Sequence, residues 1–442
     1  MKKTFRLLSV VCTLSALLIA ACGSPAVSES PSEAPPAADN GTNAAAPETK
    51  EEAPAKPVTL EFASNAKEST LEAYAAIAER FREEHPHITV EVVGVPKDFE
   101  AQMNARMANN DLPDLWTTHG WAVRKYGEYL LPLNDQPWIG GLVDEIKPIV
   151  TDEATGNVYA LPLDVDLSGL IYNRKLLDEL NLEVPETWEQ FLAASETIKN
   201  AGYTPIHLGG KDTSDVAGFV SRISLSLLAP NEQAAAGRQL LDGTFDWSEF
   251  RAVTDFILQL KEKGYLNVDH LTADKAATYA AFAENKAAFA FQSNQSIYEI
   301  LKLNPEAQVS MMRLPVSGEG AEPFLISGER NAVGVWKDTP HREEALLFLE
   351  FLAKPEHVSA IAATYSLPAA FEGVEVELGE LAAAFRAFES VPVSNHFDRE
   401  YLPNGMWNTL KSVGPGLLSG EMDSERAAAV MKEDYDRLRA GQ

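Results

Sequence analysis

Two carboxylates stand two residues apart in Pro162-Leu163-Asp164-Val165-Asp166-Leu167. In an extended segment, residues at i and i+2 project to the same side, so Asp164 and Asp166 are expected to face one space. Such a pair could receive sugar hydroxyls or the ammonium groups of a polyamine. It could also supply the acid and nucleophile of glycoside cleavage, which needs two carboxyl groups at set separations across a sugar ring. The spacing alone leaves all three open. Other chemistries find less support. The thiols are Cys12 and Cys22, both close to the N-terminus. No Gly-x-Ser-x-Gly supports a serine nucleophile, so no catalytic residue is assigned. His119, His207 and the histidines of His85-Pro86-His87 lack metal-ligand spacing, and no metal is expected. Gly209-Gly210-Lys211 is a loop fragment rather than part of a G-x-x-x-x-G-K-[ST] motif, so neither an ATP site nor any cofactor is expected.

The elements that must position these groups alternate between strand and helix. Val58 to Ala63 is apolar and strand-like, and Ser69-Thr70-Leu71-Glu72 reads as a capping box opening a helix. That helix places Leu71, Tyr74, Ala78 and Phe81 on one face, and Pro86 closes it. Ile88-Thr89-Val90-Glu91-Val92 alternates as a strand does. A helix over Phe99 to Met107 follows, then Pro113-Asp114-Leu115-Trp116 entering another strand. This βαβα order predicts an α/β fold with mostly parallel sheets covered by helices. Further on, Tyr159 to Asn173 is strand-like and Thr187 caps a helix. Phe282 to Gln292 carries a helix end and a buried strand. Ala345, Phe348, Leu349 and Leu352 line a helix face before Pro355, and Ala427, Met431, Tyr435 and Leu438 line another after Asp423. Trp116 and Trp188 read as core. No repeat of solenoid length appears.

The N-terminus carries its own chemistry. Lys2, Lys3 and Arg6 precede the apolar stretch Leu7 to Ile19, and Ile19-Ala20-Ala21-Cys22 has the form of a bacterial lipobox. Residues 1–21 are therefore expected to be a cleaved signal peptide, with Cys22 lipidated. The protein would then be tethered outside the cytoplasmic membrane. Residues 22–57 are rich in Ser, Pro, Ala, Glu and Thr and form an expected disordered linker. A flexible chain of that length spans roughly 30–35 Å. The formal charge of −28 becomes −31 once the signal's three basic residues are removed. So acidic an exterior argues against nucleic acid as a partner and favours a self-repelling monomer. The remaining 385 or so residues, 58 to 442, exceed one ordinary core and suggest two lobes.

The order of segments resembles the family 1 extracellular solute-binding proteins, the carbohydrate receptors of ABC importers that include maltose-binding protein. The resemblance rests on Asp111-Leu112-Pro113-Asp114-Leu115-Trp116, Tyr159-Ala160-Leu161-Pro162 running into Leu170-Ile171-Tyr172-Asn173-Arg174, and Val184-Pro185-Glu186-Thr187-Trp188-Glu189. It continues in Ala281-Phe282-Ala283-Glu284-Asn285-Lys286-Ala287-Ala288 and Arg342-Glu343-Glu344-Ala345, and covers nearly all of residues 58 to 442. It implies a two-lobed periplasmic-binding-protein-like type II fold with a hinge and a ligand cleft between lobes. The expected division is 58–164 with 327–372 for lobe I, and 165–326 with 373–442 for lobe II. The implied partners are a small solute, carbohydrate by resemblance, ABC permease subunits and, through the lipid, the membrane. A lipid anchor also suggests a Gram-positive cell.

A sugar receptor needs flat aromatic faces for the C–H faces of a pyranose and planar polar groups for hydroxyls that lose water. The resemblance places candidate contacts at Asn65 and Lys67 after the first strand, at Trp121, at Asp164 and Asp166 in the first crossing, and at Arg330 and Asn331 near the second. Trp407 falls where the family often has a cleft tryptophan. Gln292, Asn294 and Gln295 stand where many relatives carry Gly-x-Trp, so amides replace that stacking contact. A non-sugar solute, a sensor kinase as the recipient, and hydrolysis by Asp164 and Asp166 remain the alternative readings.

Overall fold

The computed structural model describes residues 56–440 apart from 96–98, 119–125, 153–154, 232–233, 318–320, 380 and 389–390. The expected signal peptide, Cys22, all but the end of the linker, and Trp121 lie outside the described residues.

Of three mixed sheets among the described residues, two carry the cores, and a three-stranded one, Val393–Ser394, Leu325–Gly328 and Asp166–Ser168, lies at the crossing between them. The first has five strands in the order Ile88–Gly94, Val58–Ser64, Leu115–Thr118, Ala332–Val335, Leu161–Pro162. Its first three strands are parallel, and Ala332–Val335 runs antiparallel to both neighbours. The second has four, in the order Thr204–Ile206, Ala287–Ala290, Leu170–Asn173, Val309–Met312. Here Leu170–Asn173 is antiparallel to both neighbours. The expectation of mostly parallel sheets is corrected for one reason in both. Ala332–Val335 and Leu170–Asn173 each arrive directly from a segment crossing between the cores, not through a helix, and so run against their helix-connected neighbours.

Each sheet carries its own apolar core. In the first, Phe62 meets Tyr74 edge to face at 4.9 Å, and Phe81 meets Phe348 at 5.2 Å. In the second, Phe191, Phe219, Phe289 and Met431 are fully enclosed, and Trp188 packs on Phe191 at 5.3 Å. Burying each such side chain contributes about 1.5–3 kcal/mol.

Helix starts follow local chemistry where nothing else competes. Thr187 and Gln190 form a reciprocal capping box for the helix Trp188–Asn200. The Asp423 carboxylate accepts from the Arg426 N–H at 2.7 Å to open Ser424–Arg439, whose Ala427, Met431 and Tyr435 turn inward. The capping box expected at Ser69 does not form. The helix Glu68–Glu84 begins earlier, at Lys67, with no side-chain cap. Thr70 is instead drawn inward to pair its hydroxyl with that of Thr364 at 2.9 Å, so a distant contact sets the start.

The two cores are joined by crossing segments. Residues 161–168 run antiparallel to 326–333, pairing Ser168 with Ile326 and Asp166 with Gly328 at one end, and Pro162 with Ala332 and Leu161 with Val333 at the other. The register is the same at both ends, and the Leu163 N–H donates to Asn331 O at 2.9 Å between them. The regular ladder breaks at Asp164. Its Oδ1 accepts the backbone N–H groups of Arg330 at 2.7 Å and Asn331 at 3.2 Å, and its Oδ2 accepts from Asn331 Nδ2 at 2.6 Å. On the other edge, Val165 N–H donates to Pro368 O at 2.9 Å and Ala370 N–H to Leu163 O at 3.4 Å. Asp164 thus fastens a three-segment crossing.

Burial pushes the Asp164 carboxyl up to about 7, against the pull of those hydrogen bonds. A carboxyl whose folded value is raised holds its proton longer in the native state. Its stabilising contribution is therefore fullest below about pH 4 and is lost as pH rises through 7. Asp164→Asn is expected to destabilise by about 1–3 kcal/mol, because an amide presents a donor to Asn331 Nδ2. Urea titrations at successive pH values should show the wild type losing more stability than Asp164→Asn between about pH 4 and 7; parallel curves would remove Asp164 as the titrating group.

Candidate functional site

A cavity of about 900 Å³ lies between the two cores. Asp166 and Arg330 of the crossing segments line its base together with Tyr365; Asn65 and Thr117 line one side, and Asp215, Arg222 and Trp407 the other. Thr117 steadies Asn65 by accepting its backbone N–H at 3.2 Å and donating to its Oδ1 at 3.1 Å, which leaves the amide nitrogen of Asn65 for the cavity. Asp166 is 5% exposed, and its Oδ2 lies 3.6 Å from Arg330 Nη2. Arg330 in turn rests over the Tyr365 ring at 5.1 Å. Lys67 is placed behind this group, with its ammonium 4.1 Å from the same ring. Burial lowers its pKa, and Glu299 opposes that shift.

Gln292 lines the cavity, donating to Asp215 Oδ2 at 3.3 Å. Trp407 is half-buried, with part of its ring against the second core. It sits in the first turn of the helix Met406–Ser419, which Gly405 opens at φ 95, a left-handed conformation that favours glycine. Asn294 is buried before the helix Gln295–Leu303 and is not a lining residue. Asp164 needs a correction. It has no exposed surface, and its carboxylate faces Arg330 and Asn331, so the two acids do not share one open space. The reason is a distant contact: residue 164 bridges to Ala369 whereas Asp166 begins a strand paired with Gly328, so the segment is not one regular strand.

Sequence reasoning missed Asp215, Arg222, Lys275 and Asp398. Arg222 is the only basic residue of the helix Thr213–Leu228, most of which is buried. Its Nη1 donates to Gly218 O at 3.2 Å and its Nη2 to Ser168 Oγ at 3.3 Å, tying this helix to the crossing strand. Burial lowers its pKa, while Asp166, Asp215 and Asp398 oppose that shift. Asp398 is held by the Ser221 hydroxyl at 3.0 Å. The signal was available: a lone arginine in an apolar helix must find partners inside. Asp166 Oδ1 and Arg222 Nε are both buried without a hydrogen-bond partner among the described residues.

Residues 66–358 match the family described as bacterial extracellular solute-binding protein. The chain belongs to that family. This solute-binding protein is 33% identical over 388 residues to the melibiose/raffinose/stachyose-binding protein MelE of Bacillus subtilis (strain 168), across 87% of this chain and 91% of that protein. It is similar to a Bacillus subtilis binding protein solved in an open conformation, with a TM-score of 0.82 at 33% identity, across 87% of this chain and 98% of that one. A Bacillus licheniformis sugar transporter in complex with stachyose superposes with a TM-score of 0.76 at 34% identity, across 86% of this chain and 100% of that one. The two cores are accordingly the lobes of a type II binding-protein fold, the crossing segments its hinge, and the cavity its interlobe cleft. Among the described residues, no helix is long and apolar enough to cross a membrane.

Removing the Arg222 guanidinium would leave its acids without their shared cation. Arg222→Met is expected to cost about 3–5 kcal/mol in urea denaturation, with Arg222→Lys recovering little because an ammonium cannot span both Gly218 O and Ser168 Oγ. Full stability in Arg222→Lys would show that only the charge matters.

Proposed function

We propose that this protein is the membrane-tethered receptor of an ABC importer. It takes an oligosaccharide into the interlobe cleft, closes about its hinge and presents the sugar to the permease. The observation that carries this reading is the electrical balance of the cleft. Asp166 faces Arg330 and Arg222, Asp215 faces Lys275, and Asp398 lies near Arg222. A polyamine would require acids without such partners, whereas a neutral, hydroxyl-rich solute suits fixed donors and acceptors whose charges already cancel. The names of the relatives, MelE and the stachyose-bound transporter, support an oligosaccharide such as raffinose or stachyose.

In this reading Asn65, Asp166, Gln292, Arg330 and Trp407 meet the ligand directly, and Lys67 acts from behind Tyr365. Lobe I comprises 58–164 with 327–372, and lobe II 165–326 with 373–442. The membership of the two apolar cores supports the division away from the crossings; Val165 packs in the first core, and Tyr365 and Leu367 cluster with Ile171 and Phe282. Closing is favoured only by contacts the sugar makes with both lobes at once. The protein binds without turnover; the pairing of Asp164 with Asp166 that hydrolysis would use is broken by the burial of Asp164. It acts as a monomer. Lipidation at Cys22 anchors it outside the membrane, as in a Gram-positive cell, and the linker 22–57 serves as the leash.

Thermal-shift titration with raffinose, stachyose and spermidine tests the ligand class. A sugar at about 100 times its Kd should stabilise by about 2.7 kcal/mol. By calorimetry, Asp166→Ala and Trp407→Ala should each weaken sugar binding tenfold or more, about 1–3 kcal/mol. A shift with spermidine and with no sugar would overturn the reading, and steady loss of the oligosaccharide during the assay would point to turnover. Radiolabelled palmitate should enter the full chain in a bacterial host and be absent from Cys22→Ala.

A further inference from the structure

Lys67 stands at the start of the helix Glu68–Glu84, on the first core. Its backbone N–H donates to the Tyr365 hydroxyl at 3.5 Å, and its ammonium lies 4.1 Å from the centre of the Tyr365 ring. Arg330 lies over the same ring at 5.1 Å, so one aromatic ring serves two cations. Among the described residues, no carboxylate stands within ion-pair distance of Lys67. Burial lowers its pKa. Of the charges around it, Glu299 opposes that shift, and Lys302 and Arg330 add to it.

Glu299 lines the cleft from the helix Gln295–Leu303, which belongs to the other lobe in the proposed division. Tyr365 brings the two sides together, because its ring clusters with Ile297 and Ile300 of that helix while it also holds Lys67. Glu299 is at present engaged by its own helix: Lys302 Nζ donates to Oε1 at 3.3 Å and to Oε2 at 3.4 Å. Lys302 is half exposed, and such an i, i+3 pair contributes little. Its ammonium has a second support 4.3 Å from the Tyr298 ring, so it can release Glu299 and stay seated. Lys67 is partly removed from water, where a carboxylate gained is worth more than one kept at the surface.

The geometry points to an interlobe clasp: as the cleft closes, Glu299 passes from Lys302 to Lys67 and ties the lobes together without touching the sugar. Lys67 and Glu299 are thus positioning residues. The clasp adds an electrostatic contribution to the closed form, and the affinity for a neutral sugar acquires a dependence on salt that the sugar cannot itself supply. This inference rests on the proposed sugar binding with hinge closure.

Calorimetry of the whole protein with raffinose and stachyose tests it, using Glu299→Gln, Lys67→Met, their double variant and Lys302→Met. Glu299→Gln and Lys67→Met should each weaken binding about threefold to tenfold. The double variant should lose no more than the larger single loss. Glu299→Gln should keep the unliganded melting temperature, since the unliganded protein uses Glu299 only for an exposed pair. Lys302→Met should bind at least as tightly as the wild type, because it frees Glu299. Raising sodium chloride from about 0.05 to 0.5 M should weaken wild-type binding more than that of Glu299→Gln. No loss in Glu299→Gln, losses that add in the double variant, an equal loss in Lys302→Met, or the same salt dependence in both proteins overturns the clasp and leaves sugar binding standing. A wild type that binds neither sugar overturns the sugar reading itself, and the clasp with it.

Discussion

The crossing of the two lobes depends on one buried carboxylate. Where residues 161–168 and 326–333 pass between the cores, the backbone ladder is interrupted, and the N–H groups of Arg330 and Asn331 would be left unsatisfied away from water. Each such group costs about 1–3 kcal/mol. Asp164 supplies both missing acceptors from a side chain. A side-chain acceptor can follow a change in backbone angle that a regular ladder resists. The same residue therefore keeps the crossing satisfied. The cost is a carboxylate with no exposed surface, visible in its raised pKa.

The cleft inherits its geometry from that crossing. Asp166 stands two residues beyond Asp164, and Arg330 lies on the strand that Asp164 fastens, so their separation is set by the hinge register. Arg222 extends the arrangement into lobe II by bonding Ser168 on the same strand. Charges placed this close to the lobe junction would hold water and counter-ions if left uncompensated. Here they cancel one another, and what faces the cavity is an array of oriented dipoles. Such an array can replace the water that hydroxyl groups lose on closure, with little reorganisation of the protein.

Part of this was legible in the chain, for physical reasons that differ from residue to residue. Thr187 and Asp423 cap helices because capping is a bond between near neighbours. Phe348, Leu349 and Tyr435 turn inward because helical spacing alone sets their face. Asp166, Gln292, Arg330 and Trp407 lie on one cavity, at positions the resemblance indicated. Where long-range contact competes, local reasoning failed. Ser69 lost its cap because Thr70 pairs with Thr364. Asp164 and Asp166 parted because residue 164 is bridged to Ala369. Arg222 went unread although its isolation in an apolar helix marked it.

By itself the sequence determined the alternation of strands and helices, the helix faces, the candidate lipidation at Cys22 and the family's order of segments. Each of these is written in neighbouring residues or in periodicity. Only the tertiary structure decided which acid faces the cleft and which cation answers it, and how Asp215, Gln292 and Lys275 join into one network. Those groups are far apart in the chain, and a hydrogen bond across such a distance depends on sheet register and crossing geometry, which no local pattern encodes.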